Sequence, residues 1–250
     1  MTKSFYDGKT AKETLELYDK AHDNEYDKAR VYLIKKELDK VIINWKNITV
    51  LEVGSGAGLW TKYFLSKGAK VTCVDLRKNV LAANKLVNLK AKFILGDATN
   101  VKLNKKFDLI FAKDIIEHIK KDNLFIKNMT YHLTKNGLLF ISTQNSFSLN
   151  YLIEGIYQKI KQPKKKWLGW DYTHIRFYTY FSLRKKLKRY NFTILKTFGN
   201  YHVPYRFVLG GLLRKEINLK KGHFLEYCSL ATIFPFNISG WSINIIAKKR

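Results

Sequence analysis

Three glycines at alternate positions, Gly54, Gly56 and Gly58, directly follow the apolar run Thr49–Val53. Glycine has no Cβ, so such a turn can take positive φ values and lets a bulky group lie against the main chain. The pattern predicts a strand that runs into a tight ligand-binding turn, with a purely structural turn as the alternative. Glu52 places a carboxylate just before this turn.

A second carboxylate stands at a spacing that nucleoside-binding folds use. Asp75 ends the apolar run Lys70–Val74 and lies twenty-one residues beyond Gly54. In such α/β folds an acidic residue about 20 residues after the glycine turn accepts hydrogen bonds from ribose hydroxyls. A strand-end aspartate that caps the next helix is the alternative. The strand–helix–strand context favours a nucleoside-containing ligand.

Further polar residues follow the next two apolar runs. Asp97 ends the third run, where a carboxylate can receive an exocyclic amine. Asp114, Glu117 and His118 follow the fourth run, and carboxylate and imidazole suit either a divalent metal or general-base catalysis. Adjacent residues on a helical turn point to different faces, so we expect at most two of these three to converge. We therefore predict no metal and keep the three as weak candidates.

Segments of strand and helix character alternate up to residue 143 and would position these groups. The predicted strands are Thr49–Val53, Lys70–Asp75, Lys92–Ala98, Phe107–Ala112 and Leu138–Thr143. The predicted helices are two between Thr10 and Val41, then Leu59–Lys67, Val80–Leu89 and Leu124–Leu133. Five alternations indicate a parallel sheet covered on both faces. The leading helices would cover one end of that sheet, with Arg30 at most a weak cofactor contact.

Length and composition limit the alternatives. The chain has 250 residues, 46% hydrophobic, which suits one domain with an elaboration. Cys73 and Cys228 lack CxxC spacing, so reduced core cysteines are expected rather than a disulfide or zinc framework. The polar N-terminus and the lack of long apolar stretches predict a soluble, cytoplasmic protein. The net charge of +26 would attract nucleic acid or anionic lipid, unless an AT-rich genome accounts for it.

In order and spacing these motifs resemble those of the class I S-adenosylmethionine-dependent methyltransferases. A nicotinamide-binding Rossmann domain would read Gly-x-Gly-x-x-Gly, whereas position 59 is leucine. The resemblance implies S-adenosyl-L-methionine as cofactor, with its methionine part at the glycine turn, its ribose at Asp75 and its adenine near Leu76 and Asp97. The cofactor-binding residues implied are Glu52, Gly54, Ser55, Gly56, Gly58, Asp75, Leu76, Asp97, Ala98 and Lys113.

Two segments look like those of the ubiquinone-biosynthesis O-methyltransferases and their relatives. Lys113–Ile119 matches their acidic–hydrophobic–Glu–His segment, and Asp171–Thr179 resembles their His-x-Arg-Phe segment. This resemblance makes His174 the first catalytic candidate and His118 the second, because an imidazole can accept a hydroxyl proton during methyl transfer. Alternatively, His174 and Arg176 only brace a lid.

Residues 144–180 are too long for a simple connection and are predicted to form an inserted lid after the fifth strand. Aromatic residues such as Trp167 stand there beside clustered lysines, including Lys164–Lys166. Such a mixture suits an anionic membrane surface, with tryptophan at headgroup depth. An RNA-binding surface and a lid with a solvated basic face are the alternatives.

Later segments would complete the core of one domain. They are a helix Ser182–Tyr190, a strand Phe192–Thr197, a helix His223–Phe236 and a final antiparallel strand Trp241–Lys249. The fold class expected is α/β, a Rossmann-like, seven-stranded, mostly parallel sheet with helices on both faces. Its parts would be N-terminal helices (1–48), a cofactor-binding core (49–143), the basic aromatic lid (144–180) and the C-terminal part of the core (181–250).

The function predicted is O-methylation of a small molecule or a lipid-linked intermediate, in the cytoplasm and at the membrane periphery. Methyl transfer mainly requires alignment of the acceptor and removal of its proton. No Asn/Asp-Pro-Pro-Tyr/Phe motif follows the fourth strand, which argues against methylation of DNA-base amines. An RNA methyltransferase and a non-catalytic module that binds the cofactor or anionic surfaces are the alternatives. The acceptor and the oligomeric state stay open.

Overall fold

The computed structural model describes residues 7–22, 25–86, 89–169, 171–202 and 224–250. Seven strands form a single sheet: β1 Thr49–Val53, β2 Lys70–Asp75, β3 Lys92–Leu95, β4 Phe107–Lys113, β5 Leu133–Gln144, β6 Phe192–Asn200 and β7 Ser242–Lys249. Their order is β3-β2-β1-β4-β5-β7-β6. Strands β1 to β5 pair in parallel, whereas β7 runs antiparallel to β5 and β6. The predicted seven-stranded sheet with an antiparallel final strand is confirmed.

Helices cover both faces of the sheet, as predicted. They are α1 Ala11–His22, α2 Glu25–Val41, α3 Leu59–Ser66, α4 Lys78–Leu86, α5 Asp122–His132, α6 Leu149–Lys161, α7 Tyr180–Arg189, α8 Phe224–Tyr227 and α9 Phe236–Ser239. None of the helices in the described residues is long and apolar enough to span a bilayer.

Successive strand residues feed two separate cores because their side chains alternate between the faces of the sheet. Leu51 and Ile110 point to one face and pack with Phe125 of α5 and its neighbours. Val50 and Leu109 point to the other face and join a cluster that includes residues of α2 and α3. The central strands are therefore buried on both sides, which is typical of parallel sheets.

The C-terminal part departs from the prediction in one place. The single helix expected over 223–236 is replaced by α8, a 3-10 turn at Leu230–Thr232 and α9. Ser229 has a φ of 67°, a left-handed conformation that an α-helix cannot contain, so the helix ends before it. His223 lies outside the described residues. Strand β5 also begins at Leu133, five residues before the predicted start.

Candidate active site

The sheet places the predicted polar residues along one edge, at a reversal of strand order. From β1 the chain continues to β2 and β3 on one side and then crosses to β4 on the other. In open α/β sheets, ligands bind outside the carboxyl ends of the strands at such a reversal. Gly54 follows β1 and Asp114 follows β4, so this rule places the ligand crevice between the glycine turn and residues 114–118, which contact each other through Gly54 and Ile115.

The glycine turn has the left-handed conformations that its sequence predicts. Gly54, Gly56 and Gly58 have φ values of 73°, 51° and 87°. The amide of Asn84, on α4, donates a hydrogen bond of 2.6 Å to the Gly56 carbonyl and holds the turn in place. Because these conformations are strained for residues that carry a Cβ, glycine is required here on conformational grounds.

Protein side chains lie directly against this turn. A Cβ on Gly54 would overlap the side chain of Ile115, and a Cβ on Gly56 would overlap the ring of Tyr18 from α1. The space that the missing Cβ atoms leave is taken here by these two side chains, so a ligand at the turn would displace them. Helix α1 is tied to α4 by a hydrogen bond of 3.1 Å from Asn79 to Thr14. The leading helix thus covers this end of the sheet.

Glu52 and Ser55 lie within the protein at the base of the turn. Oε2 of Glu52 accepts hydrogen bonds from the Thr61 hydroxyl at 2.5 Å and the Cys73 thiol at 3.7 Å. Burial raises the pKa of Glu52 to about 8, because the carboxylate is removed from water. Ser55 is also buried, and its hydroxyl accepts a long hydrogen bond of 3.4 Å from Asn84.

Two carboxylates follow the neighbouring strands beside the turn. Asp75 is buried, and one of its oxygens accepts the Arg77 N–H at 3.0 Å. Burial raises the pKa of Asp75. Oδ1 of Asp97 accepts the Thr99 N–H at 2.8 Å. The Gly96 N–H donates to the Asp75 carbonyl at 2.9 Å, which keeps the two strand ends side by side.

The edge formed by β1, β2 and β3 therefore carries a glycine turn with two carboxylates beside it. Leu76, next to Asp75, exposes an apolar surface, whereas Ala98, next to Asp97, is buried. Hydrogen-bond acceptors beside apolar surface fit a nucleoside, whose ribose donates hydroxyl protons and whose base is flat and largely apolar. The residues at this edge fit the ligand that their spacing predicts.

An ion-pair network stands on the other side of the crevice. Arg30 of α2 binds Asp114 in bidentate fashion, with Nη1–Oδ2 and Nη2–Oδ1 distances of 2.7 and 2.5 Å. Lys113 adds a contact of 2.9 Å to the same carboxylate, and Arg30 also donates to the Ser142 hydroxyl. Burial favours the neutral form of Asp114, but Arg30 and Lys113 hold its pKa well below the ordinary value.

This network gives two of the predicted site residues partners within the protein. Asp114, one of the weak candidates for a metal ligand, has its charge balanced by two cations and stays outside the cluster of possible ligands. Lys113 places its ammonium 2.9 Å from Oδ2 of Asp114, and its contact with the cofactor stays a prediction. Sequence reasoning gave little weight to Arg30, because its partner lies 84 residues away and no local pattern links the two.

A cluster of three titratable side chains lies beside this network. Glu117 and His118, on the 3-10 turn Ile116–His118, meet His174 from the segment after α6. One ligand atom from each residue lies within 4.8 Å of the other two, and the two imidazole centroids are 4.9 Å apart. Two of the three residues predicted after β4 therefore converge, and the third member, His174, comes from the distant segment.

Glu117 is the unusual member of this cluster. Its side chain is fully buried, and neither carboxylate oxygen makes a hydrogen bond of good geometry among the described residues, although the nearby Thr143 hydroxyl acts to lower its pKa. Burial and the nearby charge of Asp114 raise the pKa of Glu117 well above the ordinary value. A buried acceptor without a partner costs about 1–3 kcal/mol, so packing alone does not explain why this carboxylate is buried.

The two histidines are oriented by carbonyl groups. Nδ1 of His174 lies 3.1 Å from the Leu168 carbonyl, and Nδ1 of His118 lies 3.2 Å from the Thr173 carbonyl. A carbonyl only accepts, so each Nδ1 carries the proton and each Nε2 presents a lone pair. Burial, followed by the neighbouring His118, lowers the pKa of His174. Oδ2 of Asp171 lies 3.8 Å from Nε2 of His174 and opposes this shift.

The segment that carries His174 is fastened to the core. The Ile175 N–H donates to the Glu117 carbonyl at 3.1 Å. Arg176 forms an ion pair of 2.7 Å with Asp122 and donates to the Lys120 carbonyl at 2.8 Å. Arg176 therefore braces the segment, as one alternative expected, while His174 stands in the cluster.

The predicted lid contains α6 and a following loop. Leu149, Leu152, Ile156 and Ile160 recur along one side of α6 and are each 49–75% exposed. Lys164, Lys165 and Lys166, just after the helix, are exposed as well.

The aromatic residues of the lid differ from the prediction. Trp167 packs inward, with its ring centroid 5.5 Å from that of Tyr151 and 6.0 Å from that of Trp241. The tryptophan expected at headgroup depth therefore belongs to an internal aromatic cluster, and the exposed apolar surface is the aliphatic side of α6. Trp170 lies outside the described residues.

Comparison with known proteins identifies the family. Residues 23–197 match the family described as a methyltransferase domain. No curated protein matches the sequence.

Many solved structures share the fold. Magnesium protoporphyrin IX methyltransferase from Synechocystis PCC 6803, with bound SAH, is 14% identical with a TM-score of 0.62, covering 90% of this chain and 86% of that one. N-methyltransferase NodS from Bradyrhizobium japonicum WM9, in complex with S-adenosyl-L-homocysteine, is 12% identical with a TM-score of 0.58, covering 96% of both chains. A SAM-dependent methyltransferase from Archaeoglobus fulgidus is 18% identical with a TM-score of 0.57, covering 87% and 94%.

Proposed function

The chain belongs to the methyltransferase-domain family, and we propose that it transfers a methyl group from S-adenosylmethionine to an oxygen of an amphiphilic, lipid-linked acceptor at an anionic membrane surface. The proposal has three parts, which are the cofactor, the atom that is methylated and the place where the acceptor is met. The observation that carries the lipid acceptor is the exposed aliphatic side of α6, which lies on the segment that also leads to His174.

The cofactor is supported by the edge of β1 to β3 and by the relatives. Two structurally similar methyltransferases hold S-adenosyl-L-homocysteine, the demethylated form of the cofactor. In this chain Asp75 would accept the ribose hydroxyls, Asp97 the adenine amine, and the turn at Gly54 would hold the methionine part. When bound, the cofactor supplies an electrophilic methyl group on a sulfonium.

An oxygen acceptor is supported by the bases across the crevice. In the proposed step the acceptor oxygen forms the new O–CH₃ bond while the S–CH₃ bond breaks and its electron pair stays on sulfur. The hydroxyl proton passes to Nε2 of His174, whose Nδ1 is occupied by the Leu168 carbonyl. A positioned base of this kind contributes about 10²–10⁴-fold to a proton-transfer step. His118 lies beside His174 and would orient the same acceptor.

A membrane surface is supported by the arrangement of α6. Its exposed apolar residues recur at helical spacing, and an apolar side beside cations is typical of helices that lie in the membrane interface. Lys164, Lys165 and Lys166 follow at one end, where each would contribute about 1 kcal/mol near anionic headgroups. The helix is anchored at its start, because the Ser148 hydroxyl caps the Tyr151 N–H. A lipid-linked acceptor would therefore reach the crevice along this helix.

Vesicle sedimentation tests this part of the proposal. We expect the protein to bind phosphatidylglycerol vesicles and to bind neutral phosphatidylcholine vesicles much more weakly. Changing Lys164, Lys165 and Lys166 to Glu removes about 3 kcal/mol, so binding to anionic vesicles should fall at least 100-fold. Tight binding to single-stranded RNA, together with no binding to either vesicle, would overturn the membrane proposal in favour of an RNA substrate.

Single substitutions locate the contact on α6. Ile156→Ser should weaken vesicle binding by about tenfold, because a buried aliphatic side chain contributes about 1.5–3 kcal/mol when it leaves water completely. Leu124→Ser is the matched control, since Leu124 is an exposed aliphatic residue on α5. It should leave vesicle binding unchanged. Equal effects of the two substitutions would contradict a membrane contact through α6.

A further inference from the structure

We propose that a basic cleft, at the edge of the sheet opposite the crevice, binds the oligophosphate group of a small molecule. The cleft has a volume of about 380 Å³, and small-molecule sites span about 300–1,000 Å³. It lies between α7, the start of β6 and the end of β7. Three cations line it, Arg184, Lys188 and Arg250, and none of the described residues that line it has an acidic side chain.

The strand directions place this cleft away from the crevice. Strand β7 runs antiparallel to both β5 and β6, so β6 begins and β7 ends at the edge where β5 begins. The crevice lies beyond the other edge, where β1 and β4 end. The inference therefore goes beyond the proposed function, and the site does not depend on methyl transfer.

The charges of the cleft are not balanced within the described part of the protein. No ion pair among the described residues involves Arg184, Lys188 or Arg250. Lys186, which is also on α7, differs because it pairs with Asp122 at 3.0 Å. Arg184 and Lys188 are four residues apart on the helix, a spacing at which like charges repel each other. A bound anion would remove this repulsion.

The negative end of a helix explains only part of this cluster. Cations in the last turn of a helix interact favourably with its free carbonyl groups. Lys186, Lys188 and Arg189 stand in the last turn of α7. Arg184 precedes that turn, and Arg250 follows β7 and is not on a helix. The helix end therefore leaves the two arginines of the cleft unexplained.

Arg250 is held in place beside the start of β6. Its N–H donates to the Asn191 carbonyl at 3.0 Å, and its Nε donates to the Thr193 hydroxyl at 2.6 Å. The described residues offer its two Nη groups no hydrogen-bond partner. Guanidinium groups bind phosphate through pairs of parallel N–H···O bonds. Arg250 and Arg184 thus present the donors that phosphate oxygens accept from.

The arrangement of the cations indicates a ligand with more than one phosphate. Arg184 and Lys188 reach the cleft from α7, whereas Arg250 reaches it from the end of β7. A chain of phosphates can contact both groups of cations at once. The half-buried Ile194 adds an apolar wall. A di- or triphosphate fits these contacts, either as inorganic oligophosphate or as part of a nucleotide.

Calorimetry with the native chain tests the site. The probes are inorganic tripolyphosphate, uridine triphosphate and orthophosphate, and uridine triphosphate is chosen because it lacks the adenosine of the cofactor. We expect one tripolyphosphate per chain, bound at least about tenfold more tightly than orthophosphate, because a second charged contact contributes that much. Tighter binding of uridine triphosphate than of tripolyphosphate would assign the ligand as a nucleotide, and the reverse order would assign it as inorganic. No binding of either triphosphate would overturn the proposal.

Two arginine substitutions on the same helix locate the site. Arg184→Ala should weaken tripolyphosphate binding by about 10–100-fold, since it removes charged hydrogen bonds to the ligand. Arg189→Ala is the matched control, because Arg189 is exposed on α7 outside the cleft and its loss lowers the net charge equally. It should weaken binding by less than about threefold. Equal losses in the two variants would show attraction to the overall charge and overturn the cleft as the site.

Two further measurements separate this site from other partners. Saturating S-adenosylhomocysteine should leave tripolyphosphate binding unchanged, and competition between the two would place the anion in the crevice and overturn the proposal. Binding of a short single-stranded RNA without binding of either triphosphate would overturn it in favour of a nucleic-acid surface. Tripolyphosphate binding that Arg184→Ala abolishes, in a protein that never transfers a methyl group, would support the cleft and overturn only the proposed function.

Discussion

The two sides of the crevice differ in how their polar groups are satisfied. On the side of β1 to β3, the glycine turn, Glu52, Asp75 and Asp97 all have hydrogen-bond partners from nearby residues. On the side of β4, Glu117 makes no such hydrogen bond of good geometry among the described residues, and its neighbours are two histidines whose Nδ1 atoms face carbonyl groups. We propose that the first side, the cofactor side, holds the cofactor and that the second, the acceptor side, takes part in the chemistry.

The difference also concerns distance along the chain. Residues on the cofactor side meet because adjacent parallel strands end at the same edge. Residues on the acceptor side come from α2, the turn after β4 and the segment after α6, so their meeting depends on the whole fold. The acceptor side also contains the Arg30–Asp114 ion pair, and loss of one partner of such a pair destabilises a fold.

Arg30→Ala tests the acceptor side and has the largest expected effect. It leaves the half-buried Asp114 with Lys113 as its remaining cation, so the cost should be about 2–3 kcal/mol, below the about 3–5 kcal/mol of a fully buried charge without any partner. The free energy of unfolding in urea should fall by roughly the smaller amount. Lys67→Ala, which removes an exposed partner of Asp39, should cost less than about 1 kcal/mol. Similar losses in both variants would contradict the contrast between the sides.

Glu52 gives the cofactor side a pH dependence. Its pKa in the folded protein is about 8, above the value of about 4.3 in an unfolded chain. Between these pH values the native state holds a proton that the unfolded state lacks, so stability is complete below about pH 4 and falls as the pH rises towards 8.

Glu52→Gln should remove this dependence. The free energy of unfolding in urea falls between pH 5 and pH 8 in the native protein. In the variant this fall should be smaller by on the order of 3 kcal/mol. Glu13→Gln is the control, because the hydrogen bonds from Thr10 lower the pKa of this exposed carboxylate and keep its titration below the window. A variant as pH-dependent as the native protein would show that Glu52 is ionised in the fold.

Asp75→Ala sharpens the assignment of cofactor and acceptor sides. Loss of hydrogen bonds to a charged group costs about 1.5–3 kcal/mol, so affinity for S-adenosylhomocysteine should fall by about 10–100-fold in calorimetry. His174→Gln, on the acceptor side, should change that affinity by less than about threefold. The reverse pattern would mean that the two sides are assigned the wrong way round.

Gly56→Ala has the smallest expected effect. Positive φ costs alanine about 1 kcal/mol, and the new Cβ also meets the Tyr18 ring. Gly8→Ala is a matched control, because Gly8 has a φ of 77° with no atom within 4 Å of a Cβ. Adding Tyr18→Ala should bring Gly56→Ala close to the control in thermal unfolding. If Tyr18→Ala leaves the stability loss caused by Gly56→Ala unchanged, α1 does not lie against the turn.

The sequence predicts the cofactor side well because its signals are local. Glycine conformations, the strand before the turn and the interval to Asp75 depend on short stretches with strong preferences. The seven strands follow from apolar runs. The start of β5 and the residues after Ser229 differ from the prediction, because backbone geometry there depends on contacts with other elements.

The acceptor side is only partly predictable. Glu117, His118 and His174 are chemically suitable residues, and each is visible as a candidate in the sequence. Their convergence, the pairing of Arg30 with Asp114 and the inward packing of Trp167 result from packing between distant segments. The sequence of a charge-rich, aromatic lid does not reveal which of its residues face solvent. The exposed aliphatic side of α6 is therefore visible only in the folded structure.

The most direct test of the account is a calorimetric titration of the native protein with S-adenosylmethionine, followed by incubation of radiolabelled cofactor with anionic vesicles of a total lipid extract. We expect binding of one cofactor per chain and transfer of label to a lipid-extractable product through an ether or ester oxygen. No binding of the cofactor, or label transferred only to RNA when both acceptors are offered, would contradict it.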